Sequence, residues 1–133
     1  MTITINNTFL TVHDKDIALT FYRDALGLEL VGDVEKGGSF WATLTLPDQP
    51  GVNIVLSDPY GGRSQEDGDA VAKLMAKGAL TGVSFAVSNL GETFEKIRAS
   101  GADVMQEPMD QPWGARDCAF RDPSGNMVRI NQA

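Results

Sequence analysis

The sequence predicts an α+β fold of two βαβββ modules in one chain, with curved mixed sheets enclosing a cleft. Three observations carry that prediction. First, the chain reads one passage twice: Val12-His13-Asp14 through Phe21-Tyr22 to Leu26-Gly27-Leu28, then Val87-Ser88-Asn89 through Phe94 and Ile97 to Ser100-Gly101-Ala102. Second, each passage runs from a strand end through a polar turn into one amphipathic helix closed by a glycine. Third, each helix is followed by further short alternating segments. A repeat on this scale marks two similar modules sharing one core. Two such half-sheets side by side leave a cavity, and small ligands usually bind in clefts of this kind.

The expected layout is one domain over residues 1–133, with a first module at 1–57, a linker with a short helix at 58–79 and a second module at 80–133. Residues 2–13 alternate as a strand, with Phe9 and Thr11 on one face and Leu10 and Val12 on the other. Asp14–Asp16 forms a turn whose carboxylates can accept from the free N–H groups of a first helical turn. Ile17, Ala18, Phe21, Tyr22, Ala25 and Leu26 recur at helical spacing. Gly27 then supplies the left-handed conformation that ends the helix. Strands follow at 29–34, 40–46 and 52–56, the first two joined through Gly37-Gly38 as a hairpin.

Residues 58–68, DPYGGRSQEDG, read as a mobile polar linker, and 69–77 as a short helix with Val71, Leu74 and Met75 as its apolar stripe. The second module repeats the order: a strand at 81–87, a helix at 90–99 burying Phe94 and Ile97, a short strand at 103–106, and a last hairpin of 115–121 and 126–131. Its turn, Asp122-Pro123-Ser124-Gly125-Asn126, has tight-turn chemistry.

Composition narrows the function. A net charge of −7 argues against a nucleic-acid partner, which needs clustered Lys and Arg. No apolar run approaches the ~18 residues of a membrane span, and MTITINNTFL lacks the pattern of a secretory signal. Cys118 is the single cysteine, which fits a reducing cytoplasm. The lone His13 reads as a solvated turn residue, and Cys118 as a buried structural one.

FYRDALGLEL (21–30) and PWGARDCAFRDPSGNMVRINQ (112–132) resemble the vicinal oxygen chelate superfamily, which includes glyoxalase I, extradiol dioxygenases, fosfomycin-resistance proteins and bleomycin-binding resistance proteins. The resemblance implies the glyoxalase/bleomycin resistance fold and a homodimer, to which unprotected strand edges also point. It implies no particular reaction, because one fold hosts both enzymes and binding proteins.

Metal-dependent members of that superfamily place His, Gln or Glu at one position on the first and one on the last strand of each module. Carried over, those positions are Asn7, Val55, Gly82 and Arg129. Only Asn7 has a ligating atom, a neutral amide. A guanidinium ~4 Å from a dication costs about 8 kcal/mol at an effective dielectric near 20. No metal and no cofactor is therefore expected, which puts glyoxalase-type isomerisation and dioxygenation in doubt.

The face turned to the cleft should carry Asn7, Phe9 and Thr11 on the first strand, Asn53, Val55 and Ser57 on the fourth, and Met127, Arg129 and Asn131 on the last. Trp41 and Trp113 are the candidates for stacking on a flat ligand. Trp113 belongs to the P-W-G turn and reads as structural first. Tyr60 stands where a lid would fold over the mouth, and Arg116 reads as a brace for the Asp122 turn. Arg129 has two readings: an anchor for an anionic or carbonyl group, or a partner of a neighbouring acid that closes the pocket. The leading function is a metal-independent small-molecule-binding protein, with antibiotic sequestration as its role. A metal-dependent lyase, isomerase or dioxygenase is the alternative, and a regulatory dimer with a collapsed cleft a third.

Overall fold

A computed structural model describes residues 1–133. The chain forms two compact units, residues 1–72 and 73–133. The first contains β1 (Asn7–Thr11), α1 (Lys15–Leu19), a π-helical turn (Thr20–Ala25), β2 (Glu29–Lys36), β3 (Ser39–Thr45) and β4 (Asn53–Ser57). A second helix, α2 (Gln65–Ala76), crosses the division. β5 (Thr81–Val87), α3 (Leu90–Ala99), β6 (Asp103–Asp110), β7 (Arg116–Arg121) and β8 (Met127–Gln132) complete the second unit. Each unit holds one four-stranded mixed sheet, ordered β1-β4-β3-β2 and β5-β8-β7-β6. In both, the first strand runs parallel to the last and the other pairings are antiparallel. This is the predicted α+β fold of two βαβββ modules.

The helices start and stop for local reasons. Asp14 caps α1, its Oδ1 accepting from Ile17 N at 2.9 Å. Asn89 caps α3 by accepting from Glu92 N at 3.1 Å, and its own amide donates to the Glu92 carboxylate at 3.2 Å. Gly27 (φ 85°) and Gly101 (φ 93°) follow the two helices in the left-handed region. The first helix departs from the uniform α pattern expected of its spacing. Its second half widens into a π turn, with Leu26 N donating to Phe21 O at 3.0 Å. Successive residues Phe21 and Tyr22 are both buried there, rings edge-on at 4.9 Å.

One face of each sheet is the core. In the first unit it carries Leu10, Phe40, Ala42, Leu44, Ile54 and Leu56, packed with the buried Ala18, Leu19, Phe21 and Tyr22 of the helix. In the second it carries Cys118, Phe120, Val128 and Ile130, with Leu90, Phe94 and Ile97 on α3. Phe94 meets Phe120 at 5.5 Å between centroids. Removing each Leu, Ile, Val or Phe side chain of this core from water contributes about 1.5–3 kcal/mol.

Several expected boundaries shift. β1 is five residues long, not twelve: its last bond toward the N-terminus is Asn53 N to Asn6 O at 2.9 Å, beyond which β4 offers no partner. β6 runs on past Gln106 to Asp110 through two register shifts. Pro108 is tolerated because β6 is an edge strand and needs no donor on its outer side. Gly37 and Gly38 join β2 to β3 with φ of 61° and 82°, as a two-residue hairpin requires.

The segment 58–68, expected as a mobile polar linker with a helix only from 69, holds local structure. Arg63 donates to Pro59 O at 3.0 Å, and helix α2 begins already at Gln65, with Ser64 Oγ accepting from Asp67 N at 3.1 Å. Of the expected stripe on α2, Met75 is buried and Leu74 is exposed. A Cβ at Gly125 (φ 106°) would collide with Met75 O, so the 122–126 turn accepts only glycine there. That turn is held by Asp122, which accepts from Ser124 N, Asn126 N and the Asn126 amide, each at 2.9 Å.

Candidate functional site

Pleating sends alternate residues to opposite faces, so the buried face of each sheet defines an opposite, open one. In the first unit the register aligns three rows across this open face. Asn7 stands opposite Asn53, which faces Thr45; Phe9 opposite Val55, which faces Thr43; and Thr11 opposite Ser57, which faces Trp41. Val34 extends the last row on β2. Six expected site residues (Asn7, Phe9, Thr11, Trp41, Asn53 and Val55) therefore share one sheet face.

Their exposures differ. Phe9 is 68% exposed, unusual for a phenylalanine on a sheet, whereas Val55 is buried. Asn53 donates to Asn7 Oδ1 at 3.3 Å, so the two amides satisfy one another. Trp41 is half-buried, its indole edge lying along Gly61, where a Cβ would come within 3.0 Å of Cζ2. Near it, Asp58 accepts from Ser39 Oγ at 3.1 Å. The Tyr60 ring lies on Gly68 and its hydroxyl donates to Asp69 Oδ1 at 2.7 Å, a bond that, with burial and nearby acids, raises the phenol pKa. Tyr60 is thus seated on the start of α2.

In the second unit Arg129 lies in the row Ser84–Arg129–Ala119–Gln106. Asp117 lies in the next row, opposite Asn131. Arg129 Nη1 reaches Asp117 Oδ2 at 3.1 Å and Gln106 Oε1 at 3.2 Å. Asp117 is only 1% exposed, and its Oδ1 also accepts from Gln106 Nε2 at 2.8 Å and Gln111 Nε2 at 2.9 Å. Burial alone would push this carboxyl pKa up. The hydrogen bonds from Gln111 and Gln106, with the charge and hydrogen bond of Arg129, outweigh it and hold the carboxyl below its ordinary value.

One sequence expectation needs correction here. Arg116 stands at the opposite end of β7 from Asp122, pairing with Asp110 at 3.3 Å, so it is no brace for that turn. Arg121 does that work, donating to Gly125 O at 3.1 Å and Gly78 O at 3.4 Å. Trp113 is in the 111–115 turn, 73% exposed, and lies outside the strand rows that hold Arg129. Asp117, Gln106 and Gln111 escaped the sequence reading. For Asp117 alone a signal was available, alternation: Cys118 and Phe120 point to the core, so Asp117, Ala119 and Arg121 share the face of Arg129.

The four positions to which the resemblance carries a metal-ligand set do not together offer the donors of one. In the first unit they offer the Asn7 amide, already bonded to Asn53, and the isopropyl group of Val55. In the second they offer Gly82, without a side chain, and the Arg129 guanidinium, already paired with Asp117. Hard divalent cations need several anionic or neutral O and N donors about one point, and neither pair supplies them.

The model of the Glyoxalase/Bleomycin resistance protein/Dioxygenase superfamily matches residues 4–130. Among solved structures, UcmS2 is 32% identical, with 98% of each chain covered and a TM-score of 0.86. TnmS3, an antibiotic binding protein from a Streptomyces species, shares the fold at 23% identity, with 99% of this chain and 98% of that one covered and a TM-score of 0.74. A lactoylglutathione lyase of Haemophilus influenzae is 28% identical over 130 residues, 95% of this chain and 90% of that protein. With the family model spanning nearly the whole chain and the paired sheets in place, this protein belongs to the Glyoxalase/Bleomycin resistance protein/Dioxygenase superfamily.

Proposed function

We propose that the protein is a metal-independent binding protein that holds a small aromatic molecule, with antibiotic sequestration as its role. The observation that carries this reading is the Arg129–Asp117 pair at 3.1 Å, on the strand position where metal-dependent relatives place a ligand. The open face of the first sheet adds exposed Phe9 and half-buried Trp41, surfaces suited to flat apolar rings. The same fold serves an antibiotic binding protein, TnmS3, which supports the reading by analogy of architecture. Asn7, Phe9, Thr11, Trp41, Asn53, Val55, Trp113 and Arg129 are the proposed ligand-binding residues.

The test is a thermal-shift and tryptophan-fluorescence screen of flat aromatic compounds and basic glycopeptide drugs against the purified protein and Trp41→Ala. Binding that stabilises the parent and is weakened in Trp41→Ala is expected. A protein indifferent to the whole panel overturns the reading.

The second reading is a lyase, favoured by the similarity to lactoylglutathione lyases. It predicts stoichiometric uptake of Ni or Zn and turnover of a hemithioacetal. A protein that cannot be loaded and shows no turnover sinks it. We further propose a cytoplasmic homodimer. Each sheet has two edge strands, β1 and β2 or β5 and β6, that are hydrogen-bonded on one side only within their own sheet. Light scattering at the mass of one 14.3 kDa chain would overturn the dimer.

A further inference from the structure

We propose that Arg129 anchors an acceptor oxygen of the ligand (a carboxylate, phenolate or carbonyl), with Asp117, Gln106 and Gln111 as the positioning residues that aim it. This inference rests on the small-molecule-binding reading and names the ligand class that the second sheet selects.

The guanidinium is used on one side only. Nη1 is committed to Asp117 and Gln106, at 3.1 and 3.2 Å. Nη2 meets only the Met127 thioether, at 3.8 Å. Sulfur is a weak acceptor, and an arginine carries five N–H donors in a fixed fork. The side chain is 29% exposed, so the free edge is reachable from solvent. Its row neighbours are Ser84 and Ala119, neither of which carries a charge that competes for the guanidinium.

The other side of the group is locked. Asp117 is buried and takes three donors: Gln111, Gln106 and Arg129. Such a carboxylate fixes the position of the arginine while remaining hidden from a ligand. The network is neutral in sum, yet what it shows to solvent is the cation. A charge-assisted bond to an oxygen acceptor gains from this arrangement, whereas a cationic head group is repelled. Gln111 also begins the turn that carries Trp113, so the network ties that turn to the anchor.

Calorimetric titration of the full chain with three probes sharing one ring system tests this: 2-naphthoate, 2-acetylnaphthalene and 2-naphthylmethylammonium. The parent should bind 2-naphthoate most tightly and the ammonium probe at least about tenfold more weakly, the size of one charge-assisted bond. Arg129→Met should remove that preference. Arg129→Lys, which keeps the charge and loses the fork, should retain part of it and serves if Arg129→Met does not fold. Gln111→Ala should narrow the affinity ratio of naphthoate to ammonium, whereas a purely structural role would lower both affinities together. Equal affinity of the parent for all three probes, or a ratio unchanged in Arg129→Met or Arg129→Lys, overturns the anchor and leaves the binding reading standing. Failure of the parent to bind any of the three removes the binding reading and the anchor with it.

Discussion

The two modules share a topology and a buried face, and differ on the face left open. Matched by register, Ala42, Leu44, Ile54 and Leu56 in the first sheet correspond to Cys118, Phe120, Val128 and Ile130 in the second. All eight are buried and apolar. On the open face the same matching pairs Trp41 with Asp117, Val55 with Arg129, Phe9 with Ser84 and Thr43 with Ala119. One sheet sets Trp41, Phe9 and Val55 among neutral Asn, Thr and Ser side chains; the other holds a buried carboxylate paired with an arginine. The buried face is held to one chemistry by the helix it packs on. The open face has no such constraint, so the chemistry that distinguishes this protein collects there.

The comparison breaks most severely at the shared core. Phe120→Ala should cost about 3–5 kcal/mol, since a fully buried ring against Phe94 is lost and a cavity is left in its place. Its counterpart, Leu44→Ala, should cost about 2–5 kcal/mol. Urea unfolding of both variants measures this. A loss below about 1 kcal/mol in either would show that the two core faces are not equivalent.

The next effect separates the open faces. Asp117→Ala should cost about 2 kcal/mol: it strands an arginine that is largely shielded, yet exposed enough to recover some hydration. The pH dependence gives a sharper signature. The Asp117 carboxyl pKa lies below its ordinary value of 3.8, so its contribution is fully present above that value and is lost as pH falls through the lower, folded pKa. Asp117→Asn should therefore flatten the acid limb of stability below about pH 4. Trp41→Asn, at the matched position of the first sheet, should leave that limb unchanged. Melting temperatures of the three proteins between about pH 2 and 6 decide it.

These differences explain what the sequence made legible. Period-two alternation placed Asn7, Phe9 and Thr11 on β1 and Met127, Arg129 and Asn131 on β8 opposite the core face, because Leu10, Val128 and Ile130 are buried. On β4 the contrast is weaker, since Val55 and Ser57 are buried with Ile54 and Leu56. Capping by Asp14 and the stop at Gly27 were readable because they are local. The Arg129 network was not, because it joins β6, the 111–115 turn, β7 and β8, and two register shifts in β6 decide that Gln106 arrives beside Ala119. Register shifts leave no mark on local pattern. The π turn at 20–25 was hidden for the opposite reason: the spacing of its apolar residues suits an α-helix equally well.

The smallest effect concerns the one core pair that differs by a heteroatom, Ala42 and Cys118. Burial pushes the Cys118 thiol up to about 11, so almost none is thiolate at neutral pH, and it is the thiolate that attacks disulfide reagents. The folded protein should leave a colorimetric disulfide reagent unreacted at about pH 8 and release one equivalent of thiol only on unfolding. Cys118→Ala, which gives the second sheet the residue of the first, should cost about 1 kcal/mol, the loss of one small apolar group. Cys118→Ser should cost more, because its hydroxyl needs a hydrogen-bond partner and its neighbours on that face are Phe120 and Ile130. Rapid labelling of the native protein would mean that β7 opens locally, and then the buried faces of the two sheets would match in composition but not in stability.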